Sequence, residues 1–263
     1  MAGLDETEVA LIERRLAGTL PERGRPDLAV APLRTVIANM QATVPNSGGL
    51  ARSEMELAEV LAEIGQADEA QRLVEAAMAQ WQRFAGDGEA PLAAVAFAIT
   101  RAAIDLAGRK PEEALARLAV VKPVGMPERI RCDVLRARAY VMLGQSGEAV
   151  RAADAALQAM RVLPEGWRPV SVQASALQAR GEARLAAGNA DEAIGDLSAA
   201  LALRRAHDAP ASLWHERAAL ALARAEDRSG HPDLARDLRA EAGRLDAARR
   251  ATPPALVDAR VHG

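Results

Sequence analysis

The chain has 263 residues, of which 50% are hydrophobic and 26% are charged, a composition typical of a folded soluble protein. Lysine and arginine number 33 against 36 aspartate and glutamate, which leaves no basic surplus to favour nucleic acid or an anionic membrane as the partner. A single cysteine excludes an internal disulfide, and no apolar run reaches the roughly 18 residues that a membrane-spanning helix needs. We therefore expect a cytoplasmic protein that binds neither nucleic acid nor a membrane.

The dominant pattern is a glycine followed five or six residues later by an alanine that opens an apolar helical stripe. Six copies occur, and they begin at Gly24, Gly65, Gly108, Gly144, Gly188 and Gly230. Successive glycines are 36 to 44 residues apart. Self-similarity at a period of roughly 20 to 50 residues is the signature of a solenoid, in which each unit buries its apolar face against its neighbours.

Turn-rich segments separate the copies and divide the chain into units. The predicted units lie near residues 4–44, 50–84, 91–121, 128–160, 170–205 and 211–250. Residues 1–250 are therefore expected to form one superhelical domain. The pair Pro253 and Pro254 interrupts any continuing helix, so residues 251–263 are expected to form a flexible C-terminal tail.

The clearest unit, residues 176–203, has the pattern of two antiparallel helices. Gly181 and Leu185 share one face of the first helix, and Ala193 and Leu197 share one face of the second. Gly188 stands between them, where the chain must reverse, and glycine readily adopts the left-handed conformation that such a helix end needs. The unit is therefore predicted to be a helical hairpin.

This unit resembles the tetratricopeptide repeat (TPR). Gly181 stands at the small position midway along the first helix, and Ala193, Leu197 and Ala200 match the positions of the second helix. The resemblance extends over roughly residues 4 to 250 and implies an all-α fold, a right-handed α-solenoid of about six TPR-like helical hairpins. The region around Trp214 is also similar to C-terminal repeats of some bacterial regulators and Ser/Thr kinases.

The third unit is the least typical, because its turn carries one extra residue and a proline. Counted back from Gly108, its small crossing position is occupied by Arg101. The same count places the groove-facing side chains of this unit at Val95, Ala98, Ala102 and Asp105.

In the TPR family the first helices of the hairpins line the concave groove. Carried over residue by residue, this pattern gives a predicted partner-binding groove of Arg52, Glu59, Arg131, Val134, Arg138, Gln178, Glu182, Arg217 and Arg224. The Lys-and-Asn arrangement with which chaperone-binding members of the family clamp a terminal carboxylate is missing. Its early positions are occupied by Met55 and Glu59, which makes a chaperone tail an unexpected ligand.

Two pairs of groove arginines suggest the chemistry of a partner. Arg131 and Arg138, like Arg217 and Arg224, are seven residues apart and share a helix face. Guanidinium groups bind carboxylates through paired hydrogen bonds, so these arginines are predicted to receive an acidic or C-terminal segment of a partner. The alternative is that they form only a solvated face and pair with neighbouring carboxylates, namely Glu182, Asp227 and Asp133.

The sequence contains no set of residues that predicts catalysis. It has no HExxH motif, nucleophile elbow or phosphate-binding glycine loop, so no catalytic residue, metal or cofactor is expected. The leading prediction is a non-enzymatic scaffold that binds a protein or an extended peptide in its groove. Two alternatives remain open: a peptide-sensing regulatory module of a bacterial signalling or transcription protein, and an oligomerising structural element.

Overall fold

A computed structural model describes residues 18–85 and 91–251, and these are helical apart from short connections. Residues 18–22 are helical and precede the first complete helix. The helices are α1 (Pro26–Thr43), α2 (Gly48–Glu63), α3 (Ala67–Ala85), α4 (Pro91–Ala107), α5 (Pro111–Val120), α6 (Met126–Met142), α7 (Ser146–Arg161), α8 (Val170–Ala186), α9 (Ala190–His207), α10 (Leu213–Arg228) and α11 (Pro232–Ala251). The described residues contain no strand. Apart from residue 251, which ends α11, the predicted tail lies outside the described residues, as does the beginning of the first unit.

Consecutive helices pack as hairpins, and each hairpin packs against the next. Helices α2, α4, α6, α8 and α10 are the first members of five hairpins, and their partners are the helices that follow them. The first members also contact one another in order, from α2 to α4 and so on to α10. Buried side chains form several successive clusters rather than one central core, as expected when units bury their apolar faces against neighbours. The all-α repeat fold predicted from the sequence is confirmed.

The repeated glycines occupy the reversals inside the hairpins. The φ angle is between 69° and 89° at Gly24, Gly65, Gly144, Gly188 and Gly230. In the second hairpin, for example, the N–H of Gly65 donates to the carbonyl of Ala62, and that of Gln66 donates to the carbonyl of Leu61. This pair of bonds is the Schellman motif, which caps a helix end with a residue in the left-handed conformation.

The third hairpin departs from the predicted register by one residue. Arg109, with a φ of 60°, occupies the left-handed position that Gly108 was expected to fill. Seven residues before the reversal, the small crossing position is therefore Ala102, which is fully buried, and not Arg101. The assignment of Arg101 was wrong because the extra residue of this turn lies before the left-handed position and not after it.

The same shift corrects the predicted groove of this unit. Asp105 is buried and forms an ion pair with Arg117, with 2.5 Å between Oδ2 and Nε. The inner pockets described below are lined by Ala96, one residue after the expected Val95, and by Ala103, one residue after the expected Ala102. Ala102 and Asp105 thus hold helices together and do not face the groove.

Replacing Arg109 by glycine is expected to stabilise the protein. A left-handed residue with a Cβ atom costs about 1 to 2 kcal/mol, and part of this gain is offset because glycine increases the entropy of the unfolded chain. We expect the free energy of unfolding in urea to rise by about 0.5 to 1 kcal/mol. The matched variant Arg109→Ala removes the same side chain but keeps the Cβ atom, so an equal gain for both variants would contradict this explanation.

The beginning and the end of the superhelix contact each other. The N–H of Ala209 donates to the carbonyl of Arg23, and that of Leu213 donates to the carbonyl of Gly24, both at 2.8 Å. A Cβ atom on Gly24 would lie 2.8 Å from the Cβ of Ser212 and would collide with its Oγ. The reversal of the first hairpin therefore lies directly against the loop between α9 and α10.

Side chains extend this contact toward the inside of the molecule. The indole Nε1 of Trp214 donates to the carbonyl of Pro21 at 2.8 Å. A guanidinium nitrogen of Arg217 donates to the carbonyl of Glu63, at the end of α2, at 3.1 Å. These bonds join α10 to the N-terminal helices, so the superhelix closes on itself. We call this contact the ring closure.

Candidate functional site

A cavity of about 480 Å³ lies inside the closed superhelix, a volume within the range of ligand-binding pockets. Its walls come from residues 18–22, from the first helix of each later hairpin, α2, α4, α6, α8 and α10, and from single residues of α1 and α9, Leu33 and Arg204. Seven predicted groove residues line it: Glu59, Arg131, Val134, Arg138, Gln178, Glu182 and Arg217. The structure therefore brings together side chains from four separate units.

Two predicted groove residues lie outside this cavity. Arg52 is exposed and pairs with Glu56 of the same helix, with 3.2 Å between Nε and Oε1. Arg224 is also exposed, and its guanidinium lies 3.2 Å from Oε1 of Glu182. Both arginines therefore have internal partners at the margin of the cavity.

The guanidinium group of Arg131 also has an ion-pair partner within the chain. Its Nη2 lies 2.7 Å from Oε1 of Glu59, and the same carboxylate accepts a hydrogen bond from the hydroxyl of Thr100. The charge of Glu59 raises the pKa of Arg131. Of the three carboxylates that the sequence offered as alternative partners, Glu182 does pair with a groove arginine, Arg224. The other two pair elsewhere, Asp133 with Arg136 and Asp227 with Arg239.

Arg138 differs from the other groove arginines. It lines the cavity from α6, and within the part of the chain that the structure describes it has neither a hydrogen bond nor an ion pair. Arg217 of α10 has a partial partner, since its Nη1 lies 3.6 Å from Oε2 of Glu63. Its guanidinium also stacks on Trp214, 4.8 Å from the ring centroid. Arg138 on α6 and Arg217 on α10 are thus the predicted groove residues whose positive charge is least neutralised by carboxylates of the described residues.

A third arginine joins them from α9. Only 5% of the Arg204 side chain is exposed, yet it lines the cavity. Its Nη2 donates to the carbonyl of Ser171 and to the hydroxyl of Ser175, both at 2.9 Å. Its Nε and Nη1 are buried and have no hydrogen-bond acceptor among the described residues, although Nη1 lies 3.7 Å from Oδ1 of Asp208.

The three arginines are close enough to influence one another. Burial lowers the pKa of Arg204 and of Arg217, and the positive charge of Arg138 lowers both further. In the opposite direction, the carboxylate of Asp208 raises the pKa of Arg204, and the charge of Glu63 raises the pKa of both arginines. Because guanidinium groups stay protonated in proteins, this part of the cavity holds three like charges in a partly desolvated site. We call Arg138, Arg204 and Arg217 the arginine cluster.

Arg204 was not among the predicted groove residues, because the TPR pattern assigns the groove to the first helices alone. A signal was present, since Arg204 follows Leu197 by seven residues and Leu201 by three. Those spacings place it on the buried stripe of α9, and both leucines are buried. A charged residue on an apolar stripe needs a partner or a function.

A second, apolar pocket adjoins the first. It also measures about 480 Å³, and it is lined by Met55, Ala93, Ala96 and the aromatic rings of Trp81 and Phe97, together with Arg52, Glu56, Glu59 and Arg131. The rings of Trp81 and Phe97 meet edge to face, with 6.5 Å between their centroids. Because Glu59 and Arg131 line both pockets, their ion pair forms the boundary between a polar and an apolar compartment.

The described residues, 18–85 and 91–251, contain neither a metal-binding group of side chains nor a membrane-spanning helix. No group of three or more histidine, cysteine, aspartate or glutamate side chains is placed to hold a metal ion. No helix there combines the length and the apolar character needed to cross a bilayer.

Solved structures share this fold at low sequence identity. BtubC (BKLC) from P. vanneervenii superposes with a TM-score of 0.56 at 16% identity, over 92% of this chain and 94% of that chain. The apo form of RapI gives a TM-score of 0.56 at 9% identity, over 92% and 67%. A Rap protein complexed with competence and sporulation factor gives 0.59 at 14% identity, over 92% and 78%. No protein-family model matches the sequence, and no curated protein matches it.

The helical hairpins, their left-handed reversals and these structural likenesses together define the class of the protein. It is a TPR-like helical-repeat protein, as the sequence predicted.

Proposed function

We propose that this chain is a non-enzymatic binding module whose ligand, an extended peptide or a segment of another protein, occupies the cavity inside the closed superhelix. The observation that carries the proposal is the cavity itself, which gathers polar and charged side chains from five hairpins around a volume of about 480 Å³. We further take the module to be cytoplasmic and to belong to a bacterial signalling or regulatory protein.

The chemistry of the two pockets favours a peptide as the ligand. Binding sites combine apolar lining with a few polar groups that fix orientation, and here an apolar pocket adjoins the charged cavity across the ion pair of Glu59 and Arg131. Because the ring closure joins α10 to the N-terminal helices, we expect a ligand to enter the cavity along the axis of the ring. An extended chain fits such an entrance better than a folded domain.

A structural precedent supports the proposal. The Rap protein with the same fold was solved in complex with competence and sporulation factor. A ligand complex is therefore compatible with this helical architecture.

The proposal is tested by comparing how much peptide is retained by the wild type and by a variant in which a large side chain fills the cavity. The chain is immobilised and exposed to a pool of random hexapeptides, and the bound fraction is identified by mass spectrometry. Gln178 lines the cavity from α8, so the indole of Gln178→Trp is expected to occupy it and to reduce peptide retention about tenfold or more. This estimate corresponds to the loss of roughly 1.4 kcal/mol of binding free energy.

The control is a tryptophan introduced outside the cavity. Gln158 is exposed on α7 and does not line either pocket, so Gln158→Trp adds the same ring without filling the site. We expect this variant to retain peptides as the wild type does. Equal retention by both tryptophan variants, or no retention by the wild type, would contradict the proposed function.

The ring closure favours one refinement, a peptide-sensing regulatory role. The cavity is lined both by Glu22, before the first reversal, and by Trp214 and Arg217 of α10, so a ligand contacts both sides of the closure. A sensor should change its radius of gyration when a retained peptide binds, and small-angle X-ray scattering measures that change. An unchanged radius of gyration would favour the scaffold over the sensor.

A further inference from the structure

We propose that one edge of the superhelix binds the surface of a membrane that contains anionic lipids. At this edge the second helix of each hairpin ends and the chain passes to the next hairpin. We call it the connection edge, and in the described chain it comprises residues 43–47, 83–85, 120–125, 161–169, 205–212 and 249–251. The opposite edge, with the glycine reversals, is the reversal edge. The inference goes beyond the proposed function and does not depend on it, because the side chains that carry it line neither pocket.

The helix ends sort charge between the two edges. The first turn of every second helix, α1, α3, α5, α7, α9 and α11, contains aspartate or glutamate and lies at the reversal edge. The last turn of these helices, from α3 to α11, contains arginine and lies at the connection edge. The first helices, which run the opposite way, add only Glu128 and Glu216 in their first turns.

This sorting has a physical cause and a consequence for the whole molecule. Acidic residues stabilise helix N-termini, and basic residues stabilise helix C-termini. Because the second helices all run in the same direction, the local preference gives the superhelix one acidic edge and one edge with a basic surplus. The net charge of −3 did not reveal the basic edge, because acidic residues elsewhere outweigh it. For that reason the composition alone predicted no membrane partner.

Exposed apolar side chains lie mainly at the same edge. Eight large hydrophobic residues are exposed in the described chain. Six of them belong to the connection edge, namely Val44, Phe84, Val120, Val124, Val162 and Trp167. The other two, Met142 and Leu234, lie beside reversals. A bilayer accepts separate apolar side chains without a complementary shape and attracts the basic residues between them, so this distribution suits a membrane better than a protein partner.

The connections on either side of the fourth hairpin, α6 and α7, combine these features. Lys122 of the preceding connection and Arg161 at the end of α7 are exposed, and neither has an ion pair among the described residues. Met126 and Leu163, one beside each connection, pack against the same buried cluster. Both connections therefore lie at the same end of this hairpin, where unpaired basic side chains and exposed apolar ones occur together.

Trp167 is held on an ordered turn although 79% of it is exposed. Its N–H donates to the carbonyl of Pro164 at 2.9 Å, and the N–H of Arg168 donates to the carbonyl of Glu165 at 3.2 Å. The guanidinium of Arg168 also donates to the carbonyl of Leu163 at 3.1 Å. Since an indole favours the boundary between headgroups and acyl chains, this turn presents to a bilayer the side chain that its interface accepts best.

The experiment measures how much of the chain sediments with vesicles of two compositions. One kind contains equal parts of phosphatidylglycerol and phosphatidylcholine, and the other contains phosphatidylcholine alone. We expect binding to the anionic vesicles to be about tenfold stronger and to weaken as sodium chloride is added. Equal binding to both kinds, or binding to neither, would overturn the proposal, whereas peptide retention in the cavity is a separate measurement that this result does not affect.

Single substitutions assign the binding to the connection edge. Lys122→Gln and Arg161→Gln are each expected to lower the partition coefficient into anionic vesicles about fivefold, because each removes one charge that faces the lipid headgroups. Trp167→Ala is expected to lower it about tenfold, because the apolar indole no longer enters the bilayer. All three side chains are exposed, so the melting temperatures should stay at the wild-type value.

Matched controls change the same kinds of side chain away from this edge. Arg151 lies on α7 like Arg161, but it pairs with Glu148 of the first turn, and 69% of its side chain is exposed. Leu234 is 54% exposed beside the last reversal. Arg151→Gln and Leu234→Ala are expected to bind vesicles as the wild type does. Losses as large as those of Arg161→Gln and Trp167→Ala would overturn the assignment.

Quenching by brominated phosphatidylcholine distinguishes a membrane from an acidic protein as the partner of this edge. Bromine atoms on the acyl chains quench an indole that enters the bilayer, so the wild type should lose fluorescence on binding. Trp167→Phe should bind but show no such loss, because Trp81 and Trp214 line the inner pockets. Binding of the wild type without quenching would indicate attraction by charge alone, as to an acidic protein, and would overturn the membrane proposal.

Discussion

Replacing Gly24 by alanine is expected to open the superhelix where its two ends meet. Gly24 has a φ of 78°, a conformation in which a Cβ atom costs about 1 kcal/mol. That Cβ atom would also lie 2.8 Å from the Cβ of Ser212, and overpacking of a buried contact costs about 1 to 3 kcal/mol. Ser212 cannot easily move aside, because it is fully buried and its Oγ both accepts from the N–H of His215 and donates to Asp208.

The matched control is the same substitution at another hairpin reversal. Gly188 has a φ of 88° but no atom within 4 Å of an added Cβ, so Gly188→Ala carries the backbone strain without the collision. We expect a loss of about 1 kcal/mol in the free energy of unfolding for Gly188→Ala and about 2 to 4 kcal/mol for Gly24→Ala. Scattering should show a larger radius of gyration for Gly24→Ala alone. Equal losses without a change of shape would contradict the ring closure.

Replacing Gly181 by leucine is expected to force two helices apart inside the fifth hairpin. A Cβ atom on Gly181 of α8 would lie 2.7 Å from Cγ of Leu197 and 3.2 Å from the carbonyl oxygen of Ala193, both on α9. The added side chain has no space in this crossing, so the free energy of unfolding should fall by about 1 to 3 kcal/mol. Thermal or urea unfolding measures the loss.

A glycine on the open face of the neighbouring helix serves as the control. Gly195 is exposed on α9 and has no atom within 4 Å of an added Cβ. Gly195→Ala should therefore stabilise α9 by about 0.5 to 1 kcal/mol, since alanine favours helix and limits the unfolded chain. An unchanged melting temperature for Gly181→Leu would contradict the close crossing of α8 and α9.

The architecture was predictable because its signals are local. Each reversal depends on a left-handed residue, and five of the six glycines chosen from the sequence have positive φ angles. Each crossing depends on a small residue seven positions earlier, and Ala58, Ala137, Gly181 and Ala223 are all buried there. Where one residue was inserted, as at Gly108, the local pattern could not say on which side of the left-handed position the insertion lies.

The internal arrangement of the site was less predictable. Whether an arginine pairs with a carboxylate depends on how separate units are placed in space. Arg131 and Glu59, for example, are 72 residues apart in the sequence yet form an ion pair. The repeat pattern fixes the face on which a side chain lies but not the twist between successive hairpins. For that reason seven of the predicted groove residues share one cavity, whereas the pairing of Arg131 with Glu59 was not predicted. The pairing of Arg224 with Glu182 was among the alternatives that the sequence left open.

The ring closure has a consequence for how this protein folds and evolves. An open solenoid behaves as a chain of neighbours, so its end units fray independently and units can be added or lost. Here a hydrogen bond joins Trp214 to Pro21 across 193 positions, and such long-range contacts slow folding because a large loop must close first. The terminal hairpins should therefore unfold together with the centre in one cooperative transition. The number of hairpins between Gly24 and Ser212 is constrained as well, because one hairpin inserted between them would carry Ser212 away from Gly24 and break this contact.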